Sequence, residues 1–133
     1  MESNKNKMIG RLLKHYKVES VRWKFKAIKD HAHFVVEDGI LLLSTRYKEI
    51  NKSNIKEFLI TMIHEIDHAM MSKKYGWKKF RDMLEYEANM ITQGHSKGSD
   101  PYKDIPYVIK AEKFGQKNWS KWLRIFKKEG YID

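Results

Sequence analysis

The chain contains no cysteine. Disulfides and thiolate metal sites are therefore excluded, and any metal it binds must be held by His and carboxylate side chains. No apolar run approaches the roughly 20 residues that a membrane-spanning helix requires, so no membrane contact is expected. The opening stretch MESNKNKMIGRLLKHYK has no long apolar segment of the signal-peptide kind, and a cytoplasmic location is the expectation. Arginine is scarce, at five of the 27 basic residues. Arginine is the residue that makes bidentate contacts to bases and phosphates, so its scarcity counts against nucleic-acid recognition. Repeats and low-complexity tracts are absent as well.

What is present fits one domain with a modest core: 133 residues, 41% hydrophobic and 33% charged. The net charge of +10 is unevenly spread. Residues 1–36 carry nine Lys/Arg against three Asp/Glu, residues 37–102 carry ten of each, and residues 103–133 carry eight against four. The flanks are basic and the middle is neutral. Basic flanks keep nucleic acid open as a partner; a solvated lysine-rich surface accounts for them equally well.

Helical spacing runs through 4–17, with Met8, Leu12, Leu13 and Tyr16 on one face and Lys on the other. VRWKFKAIK, 21–29, alternates apolar and cationic residues and reads as a half-buried strand. HAHFVVEDGILLLSTR reads as a hairpin, 31–37 and 40–46, with Asp38-Gly39 as a two-residue turn. His31 and His33 share one face of its first strand and read as surface or structural residues. The longest helical pattern starts near Ser53 or Asn54 and stops before Gly76. A second helix is predicted over 78–93, a loop over HSKGSDPYKD, a short helix from Pro106 to Gly115, and a last helix over 119–129. Trp119, Trp122 and Phe126 form an apolar stripe on that last helix. It must dock on something, either as plain core or with the tail through Tyr131 and Asp133 laid over a cleft.

The long helix contains TMIHEIDHAMM, residues 61–71. Positions i and i+4 of an α-helix lie about 40° apart and one turn up, so His64 and His68 can direct imidazole nitrogens at one ion. Glu65 is displaced by about 100°. From there its carboxylate can reach a water on the metal, deprotonate it, and later protonate a leaving amine. The H-E-x-x-H spacing encodes this geometry. Random placement of six His and ten Glu in this length gives the pattern in roughly 0.02 of chains, and here it falls inside an apolar helix. Two imidazoles and a carboxylate buried there without partners would be costly; a metal removes the cost. Hydrogen-bonded core histidines are the other reading.

A catalytic zinc ion takes three protein ligands and keeps one open position. DMLEYEANM offers Glu85 and Glu87 on the next helix, roughly 160° apart around its axis. Glu87 is favoured, since Met83, Met90 and Ile91 lie near its face and Ala88 leaves room for close packing. His95 and Glu112 are the rival ligands.

An HExxH helix followed by a helix carrying Glu-Ala resembles the gluzincin metallopeptidases. It is most similar to the minigluzincins and the ImmA/IrrE-like peptidases, over residues 20–93. The resemblance implies an α+β fold: a small antiparallel or mixed sheet of about three strands packed on an active-site helix and a glutamate helix, with flanking helices. It implies a single zincin-like domain over 1–133 with its core at 20–93 and a C-terminal helical extension at 104–133. It implies Zn2+ held by His64, His68 and Glu87, with Glu65 as general base and acid, and GILLLSTR as the rim strand that pairs with a peptide or protein substrate. Two positions depart from the pattern. Asp67 stands where many relatives have a small residue, and Ile91 stands where larger gluzincins have an acid that orients a ligand His. Asn89 is a substitute for that acid. Tyr75, His95, Tyr102 and Tyr107 are candidates to stabilise an oxyanion. The expected activity is therefore zinc-dependent peptide hydrolysis. The alternatives are a DNA-associated protease similar to the SprT-like group, whose third ligand is a His, and a zinc-containing binding module without turnover.

Overall fold

A computed structural model describes residues 4–94 and 106–132, the side chains of 91–94 excepted. His95, Tyr102, Asp133 and the expected loop after Gly94 lie outside the described residues. In chain order the elements are α1 (Asn4–His15), β1 (Arg22–Lys26), β2 (Ala32–Val35), β3 (Ile40–Ser44), a 3-10 turn (Thr45–Lys48), α2 (Ile55–Tyr75), α3 (Trp77–Gly94) and α4 (Pro106–Lys128). The fold is α+β, as expected, and the sheet is of the mixed kind. No helix among the described residues is long and apolar enough to cross a membrane.

Each element follows from its local pattern. Helix α1 buries Met8, Ile9, Leu12 and Leu13 at helical spacing. Strand β2 alternates: Ala32 and Phe34 are buried and His33 is exposed. Helix α2 stops at Gly76, whose φ of 84° lets its N–H close onto the Ser72 carbonyl at 2.8 Å. The hairpin loop is longer than the expected two residues. It spans 36–39, with the Asp38 and Gly39 N–H groups both on the Val35 carbonyl, at 3.2 and 2.9 Å. Gly39 takes a φ of 63°, which a side chain disfavours.

The sheet order is β1-β3-β2, with β3 parallel to β1 and antiparallel to β2. The GILLLSTR segment, expected at the rim, is therefore the central strand, hydrogen-bonded on both sides. The free edge beside α2 belongs to β2. His33 and Val35 face β3 in an antiparallel ladder whose backbone groups alternate sides. Ala32 and Phe34 thus turn their N–H and C=O groups outward, and the Phe34 N–H donates to a side chain of α2.

Helix α4 is one continuous helix, not two separated at Gly115. Its buried positions, Val108, Ala111, Gly115, Trp122 and Phe126, form one unbroken stripe. It lies antiparallel along α2, and Trp122 and Phe126 complete the core beneath the sheet. The Trp122 indole N–H donates to the Tyr16 hydroxyl at 2.9 Å. Among the described residues the tail does not cover the cleft. Tyr131 packs on Phe126 at 5.8 Å between ring centroids, and its carbonyl accepts from Asn4 Nδ2 at 3.3 Å.

Gly115 marks the closest approach of α2 and α4. A Cβ there would lie 2.7 Å from the Ile60 carbonyl oxygen. Gly115→Ala gains about 1 kcal/mol of helix propensity. The overpacking cost, about 1–3 kcal/mol, falls on a backbone atom that cannot rotate away. A net loss of up to about 2 kcal/mol is expected in urea unfolding. A stabilised Gly115→Ala protein would contradict this packing.

Candidate metal centre

Helix α2 is enclosed by the sheet, α3 and α4, so its polar motif is sealed in. Glu65, Asp67 and His68 are only 8%, 3% and 4% exposed. The His64 and His68 rings stand 4.9 Å apart, centroid to centroid, at an interplanar angle of 80°. This is the one-turn pair that the spacing predicts.

His68 carries an unmet demand. Among the described residues neither of its ring nitrogens has a hydrogen-bond partner, and Phe80 occupies the space beyond, at 5.9 Å. A buried polar group left in this way costs about 1–3 kcal/mol. Burial lowers its pKa to about 3, helped by the nearby His64, His33 and Lys110 charges. The imidazole is thus neutral at pH 7, the form in which it ligates a metal. On α3, Glu87 is half-buried, and its Oε2 is also buried without a partner among the described residues. Glu85 is exposed and pairs with Arg81 at 4.0 Å. The two glutamates therefore separate in the way their helix faces predict.

Neutral imidazole and carboxylate are donor types that a zinc ion takes. The structure brings His64 and His68 together. It does not bring Glu87 into one group with them: among the described residues no three His, Asp or Glu side chains are gathered as a metal-holding cluster.

Compared with known proteins, the chain matches no protein-family model, no curated protein and no solved structure. Functional weight therefore rests on the geometry of these side chains.

Glu65 Oε2 accepts the outward N–H of Phe34 at 3.1 Å, which ties the base candidate to the edge of β2. Burial raises its carboxyl pKa from 4.5 to about 7; the Phe34 N–H opposes the rise, and the Asp30 and Glu112 charges add to it. A folded-state pKa above the unfolded value means that the folded chain binds this proton more tightly. In the metal-free protein its contribution is fully present below about pH 4.5 and is lost as pH rises through 7. The loss is expected to total about 3 kcal/mol by pH 8. Glu65→Gln should remove this pH dependence. Urea midpoints measured from pH 5 to 8 on both proteins test it, and parallel profiles would contradict a buried Glu65.

A cavity of about 480 Å³ opens between β2, α2 and α4. Ala32, His64, Glu65 and Glu112 line it, as do His31 and Glu57. Glu57 precedes Glu65 by eight residues, about 12 Å along the helix. That distance matches three to four residues of extended peptide, at about 3.3 Å each. His31 is not free: its Nδ1 lies 2.6 Å from Glu57 Oε1 and 2.8 Å from the Tyr47 hydroxyl. It lines the same cavity, held by Glu57 and Tyr47. His33 is exposed.

Of the oxyanion candidates, Tyr75 packs under Lys74 and Lys79 at the end of α2. Tyr107 lies beyond Phe80, at 6.0 Å. Neither lines the cavity. The Asp67 departure has a partner, since its Oδ1 accepts from Lys110 Nζ at 3.0 Å. A further contact was missed by sequence reasoning: Glu112 Oε2 lies 2.9 Å from His64 Nδ1. Its signal was the stripe from Val108 to Phe126, which runs through Gly115 without a break and places Glu112 beside α2.

Proposed function

We propose that this protein is a zinc-dependent metallopeptidase of the gluzincin kind, acting on peptide or protein substrates. The observation that carries this reading is the partnerless His68 imidazole, buried one turn from His64 beside a carboxyl with a pKa of about 7. His64 and His68 are the ligands in this reading, and Glu87 is the third. Zinc, when bound, would supply a Lewis acid for a peptide carbonyl and for water.

The remaining roles fall to the chain itself. Glu65 takes a proton from the attacking water and returns it to the leaving amine. The Phe34 N–H holds one carboxylate oxygen still, so the carboxylate keeps its orientation through the proton exchange. The outward backbone of Ala32 lies on the cavity wall and offers an extended peptide a strand edge to pair with.

Zinc-loaded protein is expected to contain one zinc per chain and to cleave an unfolded protein or a peptide library, and a chelator should stop the cleavage. Zinc without cleavage would leave a binding module. A shift of labelled DNA by the same preparation would favour the DNA-associated class. Absence of zinc would overturn the reading.

A further inference from the structure

Helices α2 and α4 meet at three successive levels. Gly115 sits on Ile60, Glu112 meets His64, and Lys110 meets Asp67. Positions rise on one helix as they fall on the other, the pattern of an antiparallel pair. The close approach at Gly115 sets the middle level, where a carboxylate reaches a histidine 48 residues away in sequence.

We propose that Glu112 is the positioning residue for His64, fixing the proton on Nδ1 and leaving Nε2 as the nitrogen that faces a metal. This role presupposes the zinc reading above and names the group that orients one ligand. Ligating histidines characteristically donate their second ring N–H to a carboxylate or carbonyl, which sets both tautomer and ring direction.

Both Glu112 oxygens are engaged. Oε2 faces His64 Nδ1 at 2.9 Å, and Oε1 accepts from Gln116 Nε2 at 3.1 Å, one turn along α4. Gln116 thus steadies the carboxylate from its own helix. As a ligand, Glu112 would have to release His64; as a positioning residue it keeps every contact it has. The two imidazoles also differ. His64 is held through one nitrogen, and His68 is held through neither.

The test uses the full chain with Glu112→Ala and Glu112→Gln. The Glu112 side chain is about half exposed, so both variants should fold with little change in unfolding midpoint. Zinc affinity is read by competition with a chromophoric chelator. Glu112→Ala is expected to bind one zinc with affinity weakened about 10–100-fold. Glu112→Gln keeps an acceptor oxygen for the Nδ1–H and should stay within a few-fold of the parent. In the metal-free protein at alkaline pH, nitrogen NMR should show His64 with its proton on Nδ1. Glu112→Ala should shift that signal toward a mixture of tautomers. Loss of zinc stoichiometry in both variants would make Glu112 a ligand and overturn the proposal. Unchanged affinity and tautomer in Glu112→Ala would overturn it as well. If the parent protein binds no zinc, the zinc reading fails, and the tautomer signal still decides whether Glu112 orients His64.

Discussion

Glu65→Gln is expected to slow peptide hydrolysis by about 10²–10⁴-fold, with zinc content unchanged at one per chain. In barrier height this is about 3–5 kcal/mol. The substitution preserves volume and keeps an acceptor oxygen for the Phe34 N–H, whose 3.1 Å contact orients the side chain. What it removes is the ability to take a proton from water and hand it to the leaving amine. The effect should fall on kcat, because the cavity wall and the β2 edge are untouched. Hydrolysis that survives the substitution would come from a contaminant or from another mechanism, and the role assigned to Glu65 would be lost.

Legibility of the chain tracked the sequence distance over which each interaction acts. The His64–His68 pair is one turn of one helix, so its spacing alone placed the rings side by side. The stop at Gly76 and the burial of Ala32 and Phe34 against the exposure of His33 are equally local. The separation of Glu85 from Glu87 followed from helix geometry. Pairing between distant segments was not legible. The parallel partnership of β1 with β3 makes β3 central and leaves β2 at the edge. Nothing in the GILLLSTR pattern distinguishes a central strand from a rim strand, because both want the same apolar residues. Gly115 misled for a related reason. In isolation a glycine reads as a helix stop. Here it is retained inside a helix because a Cβ would meet the backbone of α2. Reading it as a terminus split α4 in two; Glu112 was read as a rival metal ligand, but its contact with His64 and that of Lys110 with Asp67 were not foreseen. The Asp67 departure had the same origin: its partner lies 43 residues away, on that helix.

Replacing His68 is expected to change metal binding and stability in opposite directions. In the metal-free protein both ring nitrogens are buried without partners among the described residues, so His68→Leu removes an unmet polar group and should stabilise the fold by about 1–3 kcal/mol. The same change removes a ligand, and stoichiometric zinc should disappear. Zinc at 100 times its Kd should stabilise the parent by about 2.7 kcal/mol and the variant not at all. Urea unfolding with and without zinc reads both effects in one experiment. A core histidine with hydrogen-bond partners would give the reverse for the metal-free protein, since its loss would destabilise. His64→Ala should abolish zinc as His68→Leu does, because the proposed site uses both rings, 4.9 Å apart, for one ion. Glu87 is the discriminating position. Its Oε2 is buried without a partner, yet it stands outside any metal-holding group among the described residues, so ligation requires its carboxylate to move toward the His pair. Glu87→Ala should therefore lose the zinc-induced stabilisation while changing the metal-free protein little. If Glu87→Ala keeps that stabilisation and His95→Ala loses it, the third ligand is a histidine, and the site belongs with the DNA-associated class.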